Sequence, residues 1–253
     1  IIDTDGGVSL TQAQAGSGTI TFSTISASGA VAINLGTGTG SGNVTITGIT
    51  TTGAFSLVGD QGSDLTLNNL TASASITITM GSGSITASSL STDGALSITK
   101  ALGSGETGVI QDIHSASNAS ITLTGGSGHV SGTVVDVGSF TFDATSQSNT
   151  NSTTVDEAHT FHTISASGAA TISLGANTHF QASSITVGTG ALAMTTGSGS
   201  SDLTVGIGIT AQGAITIAGN GSGIISVSTI GTAGGFTFNG AGMSNGGEYF
   251  SAN

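Results

Sequence analysis

The stretch Thr24–Ala30 reads TISASGA, and the same seven residues return at Thr163–Ala169. The first copy continues VAINLGTGTGSG and the second ATISLGANTHF. An identical phrase followed by a similar but diverged one is what a repeat leaves behind once most of its copies have drifted. The apolar residue inside the phrase is the landmark to follow. It recurs as Ile25, Ile49, Leu70, Leu90, Ile113, Val135, Ile164, Ile185, Ile209 and Ile230, at spacings of 24, 21, 20, 23, 22, 29, 21, 24 and 21. A period of this length held along a whole chain is the signature of a solenoid.

Each unit has the same internal pattern. Six and eight residues past the landmark come apolar pairs such as Val31/Ile33, Phe55/Leu57, Ile76/Ile78, Leu96/Ile98, Ile215/Ile217 and Phe236/Phe238. The residue between them is small or hydroxylic (Ala32, Ser56, Thr77, Ser97, Thr216, Thr237), the period-2 alternation of a strand with one buried face. Three units keep the alternation with slipped offsets: Ile121/Leu123, Phe140/Phe142 and Leu192/Met194. A glycine turn follows, spelled GSG seven times, and glycine supplies the positive φ that tight turns need. A second alternating strand leads to the next landmark, as in Val44, Ile46, Ile49 and Leu65, Leu67, Leu70. The unit therefore reads strand, GSG turn, strand, T-x-x-G turn. The expected fold is all-β: one parallel β-solenoid (β-helix) over 1–253, of about ten rungs of 20–24 residues. A polar loop insertion is expected at about 143–160 and an irregular tail at 240–253 that carries the only tyrosine, Tyr249.

Composition agrees with stacking. The chain has 43 Gly, no Pro, no Cys, no Trp and one cation, Lys100, with a formal net charge of -12. Successive rungs place equivalent residues about 4.8 Å apart. At that spacing a proline removes one ladder bond per rung and stacked like charges repel. With 36% hydrophobic residues and a mean hydropathy of +0.33, the chain has enough apolar side chains for a core, unlike a disordered one. The acidic balance excludes nucleic acid as a partner, because one lysine cannot offset phosphate repulsion. The absence of Cys excludes disulfides and thiolate metal sites, and no apolar run of about 18 residues predicts a membrane-spanning helix. A transmembrane barrel would show aromatic girdles and longer strands. Ile1 follows no signal-like segment, so the expectation is a processed form or a segment of a longer chain. The repeat is already running at Val8 and Leu10 and continues to Phe238, so both ends are expected to be open rungs about 50 Å apart. Such edges recruit another chain.

Units such as TASASITITMGSGSITASSL and STDGALSITKALGSGETGVI resemble the repeats of filamentous haemagglutinin-type adhesins and related bacterial surface β-solenoid proteins. The resemblance covers about Val8 to Phe238. It implies export to a bacterial surface, a parallel right-handed β-helix, and a role in adhesion or matrix. The secretion domain such adhesins carry is not recognisable here.

Chemistry-bearing residues are sparse. A polysaccharide lyase wants a basic residue among carboxylates, and a glycosidase wants two carboxylates beside aromatic rings. With no Arg, one Lys and 4% aromatics, no catalytic site and no cofactor site is expected. Asp60 and Asp64 in a Gly turn, and Asp3 and Asp5 before Gly6, have the look of calcium turns, yet the calcium-binding nonapeptide repeat is missing. They read as solvated turn acids, and no metal site is expected. The insertion gathers Asp143, Asp156, Glu157, His159 and His162 without any known ligand spacing and reads as a solvated loop. His129 and His179 fall one residue before the first buried position of their strands and read as outward-facing. The Thr/Ser column Thr77, Ser97, Thr171, Thr216, Thr237 is interrupted by Ala32 and Ser56.

The function expected from these residues is structural. The chain reads as a rigid extracellular solenoid on a bacterial cell surface, either the subunit of a self-assembling filament or surface layer, or the shaft of an adhesin. Its expected partners are further copies joined end to end and a possible cell-surface or glycan ligand. The alternative is an ice-binding or carbohydrate-binding solenoid presenting its Thr/Ser ladders.

Overall fold

A computed structural model describes residues 1–11, 18–35, 43–59, 62–103, 106–148, 158–244 and 250–252. Among them there is no helix, and twenty-two strands run from β1 (Ile2–Thr4) to β22 (Phe250–Ala252). Every pairing between strands is parallel. The molecule is a β-solenoid of about ten turns.

The landmark residues form one unbroken column. Ile25 pairs with Ile49, Ile49 with Leu70, Leu70 with Leu90, and the register continues through Ile113, Val135, Ile164, Ile185 and Ile209 to Ile230. Ile2 adds one more position ahead of Ile25. The two TISASGA phrases occupy the same corner of two rungs. In each, the Gly N–H bonds to a glycine carbonyl of the preceding rung, Gly29 to Gly6 at 3.1 Å and Gly168 to Gly138 at 2.5 Å. A Cβ on either glycine would lie within 2.8 Å of that rung's backbone. Close approach of the preceding rung favours glycine at this position, although Ala74 and Ser117 occupy it on two other rungs.

A rung has three straight stretches rather than two. In β7 (Leu65–Ala72), Leu65 and Leu67 are buried, Asn68 and Asn69 both face out, and Leu70 and Ala72 are buried again. Two consecutive outward residues break the period-2 phase, so the chain bends there. The third stretch, β8 (Ile76–Met80), buries Ile76, Ile78 and Met80 and exposes Thr77 and Thr79. The three-residue step from Leu67 to Leu70 already carried this corner, hidden within an apparently continuous strand.

The slipped offsets resolve in two ways. Ala119 pairs with Leu96 and Ile121 with Ile98, so the Ile113 unit has no slip; its first inward residue is simply an alanine. Phe140 and Phe142 do come one residue early, and the ladder absorbs this as an irregularity between Ser115 and Asn118.

The turn between the second and third stretches works through a threonine that faces inward, two residues before the glycine. Thr92 Oγ1 donates to Ala74 O and accepts the Gly94 N–H, both at 3.1 Å. Thr232 repeats the arrangement with Gly213 O and the Gly234 N–H, and Thr51 with Gly29 O and the Gly53 N–H. Gly94 is required by close approach: a Cβ there would lie 1.4 Å from Ala74 O. Gly126 of the GSG turns, at φ +82°, is excluded from bearing a side chain by both its backbone conformation and Leu102 O.

The stretch expected as loop at 143–160 is ordered at both ends. β12 (His129–Ser148) extends through Ser148, the chain resumes at Ala158, and β13 (His159–Ala166) begins one residue later. Between them, 149–157 lie outside the described residues. Strand β21 (Phe236–Met243) and β22 likewise occupy part of the expected tail, while Tyr249 lies outside the described residues.

Candidate functional site

The residues singled out above take quite different positions in the coil. Asp64 is exposed and its Oδ1 accepts the Ser84 N–H of the next rung at 2.7 Å, while Asp60 lies outside the described residues. Asp143 Oδ1 accepts from both the N–H and the hydroxyl of Thr145, at 3.0 and 2.6 Å. Asp156 and Glu157 lie outside the described residues. Among the described residues, no group of three or more His, Asp or Glu side chains converges as a metal site would require.

The histidines depart most from expectation. His159 faces inward, 1% exposed, in register with Phe180. Its Nδ1 accepts the Val130 N–H at 3.1 Å, which places the remaining ring proton on Nε2. Phe140, Phe142, Phe161 and Phe180 gather beside it, and the Phe142 ring meets the imidazole edge-on with centroids 4.9 Å apart. Burial, with smaller contributions from His129 and His179, pushes the His159 pKa down to about 3, so the ring is neutral.

His179 is also buried, 6% exposed, although it precedes the inward Phe180 and the sequence pattern predicts it to face solvent. The preceding turn uses Asn177 at φ +52° and buries Thr178. His179 Nδ1 then lies 3.0 Å from Asp202 Oδ2. Burial raises the Asp202 pKa, but hydrogen bonds from His179 and from the Ile224 N–H outweigh it and hold the carboxyl below its usual range. His129 is half-buried. His162 is exposed, and its Nδ1 meets Ser183 Oγ at 3.0 Å. Rung-to-rung pairing places these two on adjacent rungs of the outer corner.

Lys100, the single cation, points into the core. It occupies the inward column between Met80 and Leu123 and is 2% exposed. Its Nζ donates to Gly81 O and Ala101 O at 3.2 and 3.3 Å. Burial lowers its pKa, partly countered by Glu106 and Asp64.

No single cluster unites these groups. What repeats along the coil is the outer surface of the third stretch. Two outward columns run side by side there, one through Thr77, Ser97 and Ser120, the other through Thr79, Thr99 and Thr122. Sequence reading saw the first column and its interruptions. The second lies two residues further along each strand, and its alignment depends on register. The fold and this surface define the class as a parallel β-solenoid repeat protein. Compared with known proteins, the chain matches no family model, no curated protein and no solved structure.

Proposed function

We propose that this chain is a rigid extracellular rod, serving as the subunit of a filament or surface layer or as the shaft of a bacterial adhesin. The observation that carries the reading is the unbroken landmark column from Ile2 to Ile230, with parallel pairing at every step. Bending such a coil strains backbone ladders and core columns together, so stiffness follows from the fold. Burial of Lys100 adds resistance to trypsin-like proteases, which need an accessible cation. The likeness of the repeats to filamentous haemagglutinin-type adhesins supports an extracellular setting.

End-to-end association is part of the proposal. Val8 and Leu10 follow Ile2 at the offsets at which Phe236 and Phe238 follow Ile230. Phe236, in an inward column, is nonetheless 40% exposed. A further rung, from a second copy or from adjoining chain, would continue all three columns in register. Negative-stain electron microscopy of the purified chain, with and without Ca²⁺, tests the reading. Fibres with a regular axial repeat support a filament subunit. Single rods about 50 Å long support a shaft segment, and flexible or globular particles overturn both.

A further inference from the structure

We propose that the hydroxyl face formed by Thr77/Thr79, Ser97/Thr99 and Ser120/Thr122 binds a crystalline water surface. This is a binding function beyond the rod and independent of it. Four observations support it.

The first is register. The strands of this face pair from β2 (Val8–Thr11) through β8 to β21, and the two outward columns are matched at every rung. Irregularities on this face fall outside the paired columns, after Lys100, before Asn118, after Ala144 and after Ala218. The second column is interrupted by Asn34, Val58, Asp143, Ala218 and Asn239, but on the consecutive rungs of Thr77/Thr79, Ser97/Thr99 and Ser120/Thr122 the hydroxyls lie on a lattice of about 4.8 Å across rungs by 6.6–6.8 Å along each strand. In the first column every position but Ala32 and Ala193 is Ser or Thr.

The second is free hydrogen-bonding capacity. Among the described residues, the hydroxyls of Thr77, Thr79, Thr99 and Thr122 have no protein partner, and Ser120 reaches Ser97 only at 3.4 Å. Turn hydroxyls such as Thr92 and Ser115 are instead tied to backbone carbonyls of the rung before. The face thus presents hydroxyl donors and acceptors to solvent.

The third is chemistry. Between Ser9 and Thr237 the face carries one charge, Asp143, and no aromatic side chain. Phe55, Phe140 and Phe142 on these strands point inward. A polysaccharide surface is gripped by stacked rings and an ionic ligand by charge. The patch of Thr77/Thr79, Ser97/Thr99 and Ser120/Thr122 itself is uncharged and matches an uncharged hydrogen-bonding solid.

The fourth is length. A soluble monosaccharide would cover one or two lattice cells, whereas a periodic solid engages the full three-rung length of the patch at once, so weak contacts multiply.

The test is ice shaping and inhibition of ice recrystallisation by the 253-residue chain, with Thr99→Lys and Thr79→Tyr on the face and Thr71→Lys on the neighbouring stretch. Tyrosine suits a strand, so Thr79→Tyr serves if the lysine variant fails to fold. Wild type and Thr71→Lys should facet growing ice, and the face variants should need about tenfold more protein for the same inhibition, a loss of about 1.4 kcal/mol. No faceting by wild type overturns the proposal, as does equal activity in folded face variants or equal loss in Thr71→Lys. Adsorption to microcrystalline cellulose without ice activity also overturns it and reassigns the face to a polysaccharide.

Discussion

Acid should destabilise this protein through one buried ring, and His159→Asn isolates the effect. In the folded chain His159 is neutral, with Nδ1 accepting the Val130 N–H and a pKa near 3. Unfolded, the imidazole titrates near about 6.5. Between those values the unfolded state binds the extra proton and the folded state does not, so stability rises with pH. The contribution is fully present above about pH 6.5, declines as the pH falls, and is gone below about pH 3. With about 1.4 kcal/mol per pKa unit, the full swing approaches 5 kcal/mol, and the part lost between pH 7.5 and 4 is about 3 kcal/mol. The ring is essentially inaccessible, so little solvent screening reduces this. Acidic residues titrate in the same range, so wild type must be compared with a variant at each pH. Asparagine keeps an acceptor near the position of Nδ1 and does not titrate. Its lost contact with Phe142 costs the same at every pH and cancels from the slope. Urea unfolding at pH 7.5, 5.5 and 4, with hydrogen exchange at the Val130 amide as a local reporter, gives the comparison. The expected result is a wild-type loss about 3 kcal/mol larger than that of His159→Asn. Identical slopes in the two proteins would refute the account of the buried ring.

Other consequences follow from single positions. Gly94→Ala should destabilise by about 3 kcal/mol, because its Cβ meets Ala74 O, whereas Gly18→Ala, with nothing within 4 Å, should be nearly neutral in thermal melts. Phe142→Ala removes the ring that touches His159, Phe161 and Phe180 in the aromatic cluster and should cost about 3–5 kcal/mol by urea midpoint. Lys100 turns trypsin into a reporter of opening: the native chain should resist, and Gly94→Ala should be cut after Lys100 into two fragments at a rate that tracks its lost stability. Cleavage of wild type as fast as of Gly94→Ala would show that Lys100 is not held inside.

The residues by themselves determined the solenoid. Its landmark spacing, its inward pairs and its shortage of proline and charge are one-dimensional signals, because a stacked coil imposes the same demand on every rung. The TISASGA phrase was legible for the same reason, since both copies meet the same backbone. Tertiary structure decided whatever depended on phase or on neighbouring rungs. The corner at Asn68 and Asn69 appeared only when both residues were found facing out. His159 looked like part of a polar loop, yet strand phase sends it inward beside Phe142. His179 is buried against Asp202 of the next rung, a partner that only the register between rungs supplies. Lys100 occupies an apolar column because carbonyls of Gly81 and Ala101 are close enough to receive its ammonium group. The paired hydroxyl columns follow the same logic: each threonine is visible in the sequence, but only the register between rungs places them side by side on one face.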